Sequence, residues 1–167
     1  MTATGDASYD ASMDLPPASL RLVRWAAGVG LDLDVRVFPE GTKTAGDAAG
    51  AVGCDVAAIV KSLVFMVDDA PVVALVPGDM RLDPDKLAEA AGGNKSRRAS
   101  LDEVRAATGY AAGGTPPFGH GCRVFADPEL TRHDTVWAAA GTPTTVFAIS
   151  IAELIRTADA TWAPIGR

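Results

Sequence analysis

Two stretches of this 167-residue chain carry residues whose types and spacing could do chemistry. The first is Ala57–Val67, AAIVKSLVFMV, an apolar run interrupted by Lys61. Side chains alternate faces along a strand, so Ile59, Lys61, Leu63 and Phe65 share one face, and Val60, Ser62, Val64 and Met66 the other. Lys61 therefore stands in line with apolar residues. A buried ammonium is costly unless it is paired, hydrogen-bonded or open to a cavity. One reading is a strand-edge lysine whose stem runs out to water. The other is a cation at the floor of a site for an anionic ligand or an ester. The second stretch is Ala111–Gly121, AAGGTPPFGHG. Gly113 and Gly114 permit backbone geometry closed to other residues, and Pro116-Pro117 stiffens the exit. It reads either as an ordinary surface turn or as a rigid loop whose backbone N–H groups point at a ligand oxygen. Such donors stabilise developing negative charge without a reacting side chain.

Acid–base machinery is scarce elsewhere. His120 and His133 are the only histidines. No Ser/His/Asp set is legible, and no His/Cys/Asp/Glu spacing suggests a metal site. Neither a metal nor a cofactor is expected. His120 reads as a loop histidine bonded to nearby backbone, or as a ligand contact. His133, among Thr131, Arg132 and Asp134, reads as part of a solvated turn. Asp127, just before Pro128, reads as a turn cap, with a polar group on a cleft rim as the alternative. Lys95, Arg97 and Arg98 form the densest positive cluster. That cluster is either a solvated basic connector or a phosphate contact.

The net charge of −6 argues against broad, non-specific nucleic-acid binding and against DNA as a partner. It leaves room for a local basic patch that holds one end of an RNA. No apolar run approaches the roughly 20 residues of a membrane helix, so no membrane partner is expected. Cys54 and Cys122 form no CxxC, and no basic segment followed by an apolar core opens the chain. Both features fit a reducing cytoplasm.

These residues need elements to position them. Met1–Asp14 is small and polar, the composition of a mobile tail, and residues 15–167 are read as one folded domain. A helix is expected over Pro16–Gly30, with Leu20, Val23, Arg24 and Ala27 at helical spacing. A half-buried strand is expected over Leu31–Val37. Thr44 caps a short helix to Val52, and the lysine strand follows, returning through a turn at Asp68–Pro71 into Val72–Val76. Asp83-Pro84 opens a helix to about Ala91, and Asn94–Arg98 is a connector. The capping boxes Ser100–Glu103 and Ser150–Glu153 open two more helices. Arg123–Ala126 is a short strand, and Thr135–Ala139 pairs with Thr144–Ile149. The irregular mixture predicts an α+β or mixed α/β fold, without a βαβ repeat.

With the elements in order, three features resemble the YbaK/EbsC family, the free-standing relatives of the editing domain inserted in bacterial prolyl-tRNA synthetases. They are VKSLVF (Val60–Phe65), GYAAGGTPPFGH (Gly109–His120) with a glycine-x-x-x-proline pattern at Gly113…Pro117, and TVWAAAG (Thr135–Gly141). The resemblance covers Val29–Arg156. It implies a barrel-like mixed sheet flanked by helices, with a cleft lined by Lys61 and the glycine loop. It implies a trans-acting aminoacyl-tRNA deacylase that hydrolyses the ester of a mischarged tRNA, typically proline tRNA carrying a small wrong residue such as cysteine or alanine. Lys61, Gly113 and Gly114 would then be catalytic. Pro117, Phe118, Gly119, His120, Lys95, Arg97 and Arg98 would bind substrate. The partners implied are the acceptor end of mischarged tRNA and a prolyl-tRNA synthetase. A non-catalytic module that binds tRNA, a nucleotide or a synthetase is the alternative.

Overall fold

The apolar run around Lys61 makes the longest strand pairing in the structure, a computed structural model that describes residues 14–42 and 44–167. Strand β2 (Val60–Val67) pairs antiparallel with β3 (Ala70–Pro77), Lys61 opposite Val76. Asp68 and Asp69 turn the chain with φ of 47° and 69°, the two positive values that a tight hairpin requires. The Asp68 carboxylate also accepts from Asn94 N at 2.8 Å and Lys95 N at 3.0 Å. That grip draws residues 94–98 alongside β2. The expected connector is therefore an edge strand, β4 (Ser96–Arg98), antiparallel to Phe65–Val67. Its partner groups come from a distant hairpin, so no local signal marks it.

In chain order the structure begins with α1 (Pro17–Gly28), β1 (Val35–Val37) and α2 (Ala45–Val52), then the β2–β3 hairpin. Helix α3 (Pro84–Ala90), β4 and α4 (Leu101–Thr108) follow. After the glycine loop come β5 (Arg123–Ala126), β6 (Thr135–Ala139), β7 (Thr145–Ser150), α5 (Ile151–Ala158) and β8 (Thr161–Trp162). The strands form two sheets, β1-β7-β6 and β4-β2-β3-β5-β8. Among the described residues a single parallel bridge, Ile59 with Trp137, joins them. This is the mixed α+β fold expected, but the sheets stay open where a barrel-like closure was anticipated. Closure needs continuous pairing around the ring, and the outer strands β1, β4 and β8 are only two or three residues long.

Several helix ends are local events. Thr44 caps α2 by accepting from Asp47 N, Asp83 caps α3, and Ser100 and Glu103 close a reciprocal capping box on α4. Ser150 caps α5 by accepting from Glu153 N, while the Glu153 carboxylate turns to Arg156. The face of α1 differs from expectation. It buries Ser19, Leu22 and Ala26, while Arg24 and Ala27 are exposed. Ser19 goes inside because its hydroxyl bonds Thr145 Oγ1 at 3.0 Å, a partner supplied by β7. The strand expected over Leu31–Val37 shortens to three residues, since β7 offers only Thr145–Phe147 as partners. The N-terminal tail expected at Met1–Asp14 lies, except for Asp14, outside the described residues.

The main core packs Leu22, Val60, Val64, Val73, Phe118 and Phe147 between α1 and the sheets, and a second cluster with Phe65, Val76, Leu87 and Ile165 fills the opposite face of β2–β3. The two faces of the lysine strand are thus both covered, as its continuous apolar run implied.

On the outside, Arg97 forms a bidentate pair with Glu103 at 2.8 and 2.9 Å, tying β4 to α4. The pair and the Ser100 N–H pull the Glu103 carboxyl down from 4.5 to about 2. A carboxylate whose folded pKa is lowered adds stability that is fully present above its unfolded pKa and is lost as pH falls through the folded value. Wild type should therefore lose its stability advantage over Glu103→Gln between pH 4.5 and about 2, as read by acid-titrated urea midpoints. A constant difference across that window would show that the pair contributes nothing through charge.

Candidate functional site

On one side Lys61 pairs with Val76, but on the other β4 reaches only Phe65–Val67. Residues 61–63 therefore border open space. A cavity of about 470 Å³ lies there, walled by Ala45 of α2, Lys61 and Ser62 of β2, Gly113 and Thr115 of the glycine loop, and Trp137 of β6. The two stretches that stood apart in the sequence thus share one cavity.

Lys61 is half-buried, and its Nζ donates to the Met80 carbonyl. Burial, and then the like charge of Arg81, lower its pKa from the ordinary lysine value, while Asp79 works the other way. Asp79 is itself held by Arg132 through bonds of 2.7 and 2.9 Å, which keep its carboxyl below the usual range. Among the described residues Lys61 has no salt-bridge partner, so its charge faces the cavity without being neutralised in direct contact. Ser62, whose buried Oγ has no hydrogen-bond partner among the described residues, lines the same space. A buried polar atom left unpaired is rare and calls for a physical account. None of the described residues lining the cavity is a histidine, a carboxylate or a cysteine. No described group of three His, Cys, Asp or Glu could hold a metal ion.

The two loop glycines play different parts. Gly113 has φ +85°, a left-handed conformation, with open space where a Cβ would sit. Gly114 packs on the Thr142 backbone so closely that an added Cβ would lie 2.6 Å from Thr142 Cα. Its N–H donates to Ala111 O at 3.1 Å. The donor expected from Gly114 is therefore already occupied, and of the two loop glycines Gly113 is the one that lines the cavity. Gly113→Ala should cost about 1–2 kcal/mol, the strain of a left-handed alanine. Gly114→Ala should cost more, because the loop must separate from Thr142. Thermal melts of the two variants check this order, and equal losses would count against it.

The remainder of the loop turns elsewhere. Pro117 and Phe118 are buried, and the Phe118 ring is 2% exposed between Trp25 at 5.5 Å and Phe147 at 5.6 Å. Gly119 and His120 line a separate cavity of about 230 Å³ with Trp25 and Asp159. His120 Nδ1 accepts from Cys122 N at 3.1 Å, and burial pushes the imidazole pKa down, toward the neutral form. His133 Nε2 lies 3.7 Å from Asp55 on the surface. Asp127 does cap its turn, accepting from Glu129 N, and it also accepts from Ile165 N and Gly166 N. Of the basic cluster, Arg97 and Arg98 line a third cavity that shares Lys61 with the first, whereas Lys95 lies off it.

Sequence reasoning passed over Ser62, although its place among Val60, Val64 and Met66 on a core-facing row was a visible signal. It also passed over Arg81 and Arg167, which reach the third cavity from distant parts of the chain and carry no local signature.

A family model described as the aminoacyl-tRNA editing domain matches residues 39–157. The chain belongs to this family. A solved structure described as a candidate trans-editing enzyme for prolyl tRNA synthetase superposes with a TM-score of 0.86 at 38% identity, covering 92% of this chain and 99% of that one. The protein YwhH of Bacillus subtilis is 34% identical over 124 residues, 72% of this chain and 78% of YwhH. The proline–tRNA ligase of Maridesulfovibrio salexigens is 39% identical over 104 residues, 62% of this chain but only 18% of the ligase. The chain thus corresponds to one part of such ligases. Both Lys61 and the glycine loop fall inside the editing-domain match, and Arg167 falls outside it.

Proposed function

We propose that this editing-domain chain is a trans-acting aminoacyl-tRNA deacylase. Its substrate is a mischarged tRNA, tRNA-Pro carrying a small wrong amino acid such as cysteine or alanine. The observation that supports this reading is the meeting of Lys61, Ser62 and Gly113 on the walls of one cavity. An aminoacyl ester is already activated. Its hydrolysis needs a held carbonyl, a placed water and a fitted side chain more than it needs a protein nucleophile.

In this reading the Gly113 N–H faces the ester oxygen, where negative charge develops as water adds to the carbonyl carbon. Lys61, as the ammonium, anchors a phosphate or polar group of the terminal nucleotide. Its bond to Met80 O fixes the Nζ, and a protonated amine cannot take a proton from water, so Lys61 is not the base. Ser62 Oγ offers a hydrogen bond to the bound aminoacyl group. With no side-chain base among the described lining residues, the tRNA's own terminal ribose hydroxyl helps to position the water. The carbon–oxygen bond to the ribose then breaks, releasing the amino acid and a tRNA with a free hydroxyl. A prolyl-tRNA synthetase is a partner that would supply tRNA selection.

The test is incubation with a panel of mischarged tRNAs, following ester loss. Hydrolysis of one or more small-residue esters is expected. Tight binding of tRNA with no ester loss anywhere in the panel would replace the deacylase with a binding module.

A further inference from the structure

The third cavity, about 530 Å³, carries five cationic side chains, Lys61, Arg81, Arg97, Arg98 and Arg167, and no acidic one among its described lining residues. This concentration stands out in a chain of net charge −6. Three of the arginines are uncommitted. Among the described residues Arg81, Arg98 and Arg167 have no carboxylate in salt-bridge range, whereas Arg97 is bound by Glu103. Each arrives from a different part of the fold. Arg98 stands on the edge strand β4, over the Phe65 ring. Arg81 follows the β2–β3 hairpin, and its backbone exchanges hydrogen bonds of 3.0 and 2.7 Å with Arg167. The segment bearing Arg167 is itself pinned by Asp127, whose buried carboxylate takes the N–H groups of Ile165 and Gly166. The groove is therefore built on backbone pairing at two of its three free arginines. It opens onto the first cavity through their shared Lys61 and Leu63.

We infer that this groove is a phosphate track for the single-stranded 3′ end of an RNA, with Arg81, Arg98 and Arg167 taking successive backbone phosphates. The inference rests on the deacylase reading for its direction. An ester held in the first cavity is joined to a terminal ribose, whose 5′ phosphate must leave past Lys61. The wall shared through Lys61 and Leu63 leads into the cationic groove, where unpaired guanidinium groups suit phosphate oxygens in fork geometry. The track differs from the basic cluster evident in the sequence. It replaces Lys95 and the committed Arg97 with Arg81 and Arg167. These contacts follow the backbone and carry no sequence information.

The test uses the full chain and the double variant Arg81→Ala/Arg167→Ala. Both side chains are exposed, so the fold should persist, which a melt verifies. Binding of uncharged tRNA is measured as a function of salt. Each lost single-strand phosphate contact should flatten the log–log salt slope by about 0.7, so the double variant should lose roughly 1.4 in slope. In deacylation, kcat/KM on aminoacyl-tRNA should fall about tenfold further than kcat/KM on an aminoacyl-adenosine that lacks the 5′ phosphate. A wild-type salt slope in the folded double variant overturns the track. So does an equal loss on both esters, or weakened binding of free adenosine monophosphate with tRNA binding unchanged. If the wild-type chain hydrolyses no ester, the deacylase reading fails alone, and the salt slope still decides the groove.

Discussion

Lys61→Ala is expected to lower kcat/KM for ester hydrolysis by about 100-fold or more, the scale seen when a preorganised electrostatic group is removed from an active site. The fold should survive, because among the described residues the Lys61 side chain makes one hydrogen bond, to Met80 O, and the β2–β3 ladder is made by backbone. Lys61→Arg should also be impaired. A forked guanidinium does not place its charge where the compact ammonium sits, and it would crowd Arg81 and Arg98, whose like charges already act on this site. The pH profile carries a signature of its own. If the cationic form is the working one, activity is present at low pH and disappears as Lys61 loses its proton. Burial and Arg81 lower that pKa from 10.5, so the alkaline limb should fall earlier than for an ordinary lysine. Activity in a folded Lys61→Ala protein equal to wild type would remove Lys61 from the mechanism.

The second large effect is on stability. Phe118→Ala should destabilise the protein by about 3–5 kcal/mol, since the change leaves a cavity between Trp25 and Phe147 in the main core. For a chain of this size that corresponds to a drop in Tm of roughly 10 °C. Phe118→Leu, which keeps much of the volume, should lose appreciably less. The resemblance placed Phe118 among substrate contacts, and the two roles separate cleanly. A core ring gives a lower urea midpoint with KM unchanged in the folded fraction. A ligand contact gives a raised KM at unchanged stability. At 2% exposure, the ring meets other side chains and not the cavity that holds Lys61.

The glycine loop combines local features with long-range ones. Its rigidity was legible in two glycines followed by two prolines, and its place near Lys61 came from the family resemblance. The division of labour inside it was not legible. Gly114 is needed because the Thr142 backbone lies against it, and Thr142 belongs to the β6–β7 turn. Pro117 is buried with Phe118, whose ring points inward because Trp25 of α1 and Phe147 of β7 supply an apolar slot. The basic cluster divides in the same way. Three cations close together in sequence looked like one patch, yet Arg97 is bound to Glu103, Lys95 stands off the groove and Arg98 faces it.

Features set within a few residues were legible in the chain before any packing. The alternation that carries Lys61 on an apolar row, the caps at Thr44, Asp83 and Ser100, and the hairpin after β2 all depend on neighbours along the chain. Which surfaces meet was settled by packing. It left the edge of β2 open at Lys61, laid Gly113 beside it, buried Phe118, and brought Arg81 and Arg167 to Arg98. The physical reason is range. Caps and strand alternation are satisfied by local backbone geometry, whereas a cavity and the charges around it exist only once distant elements have packed.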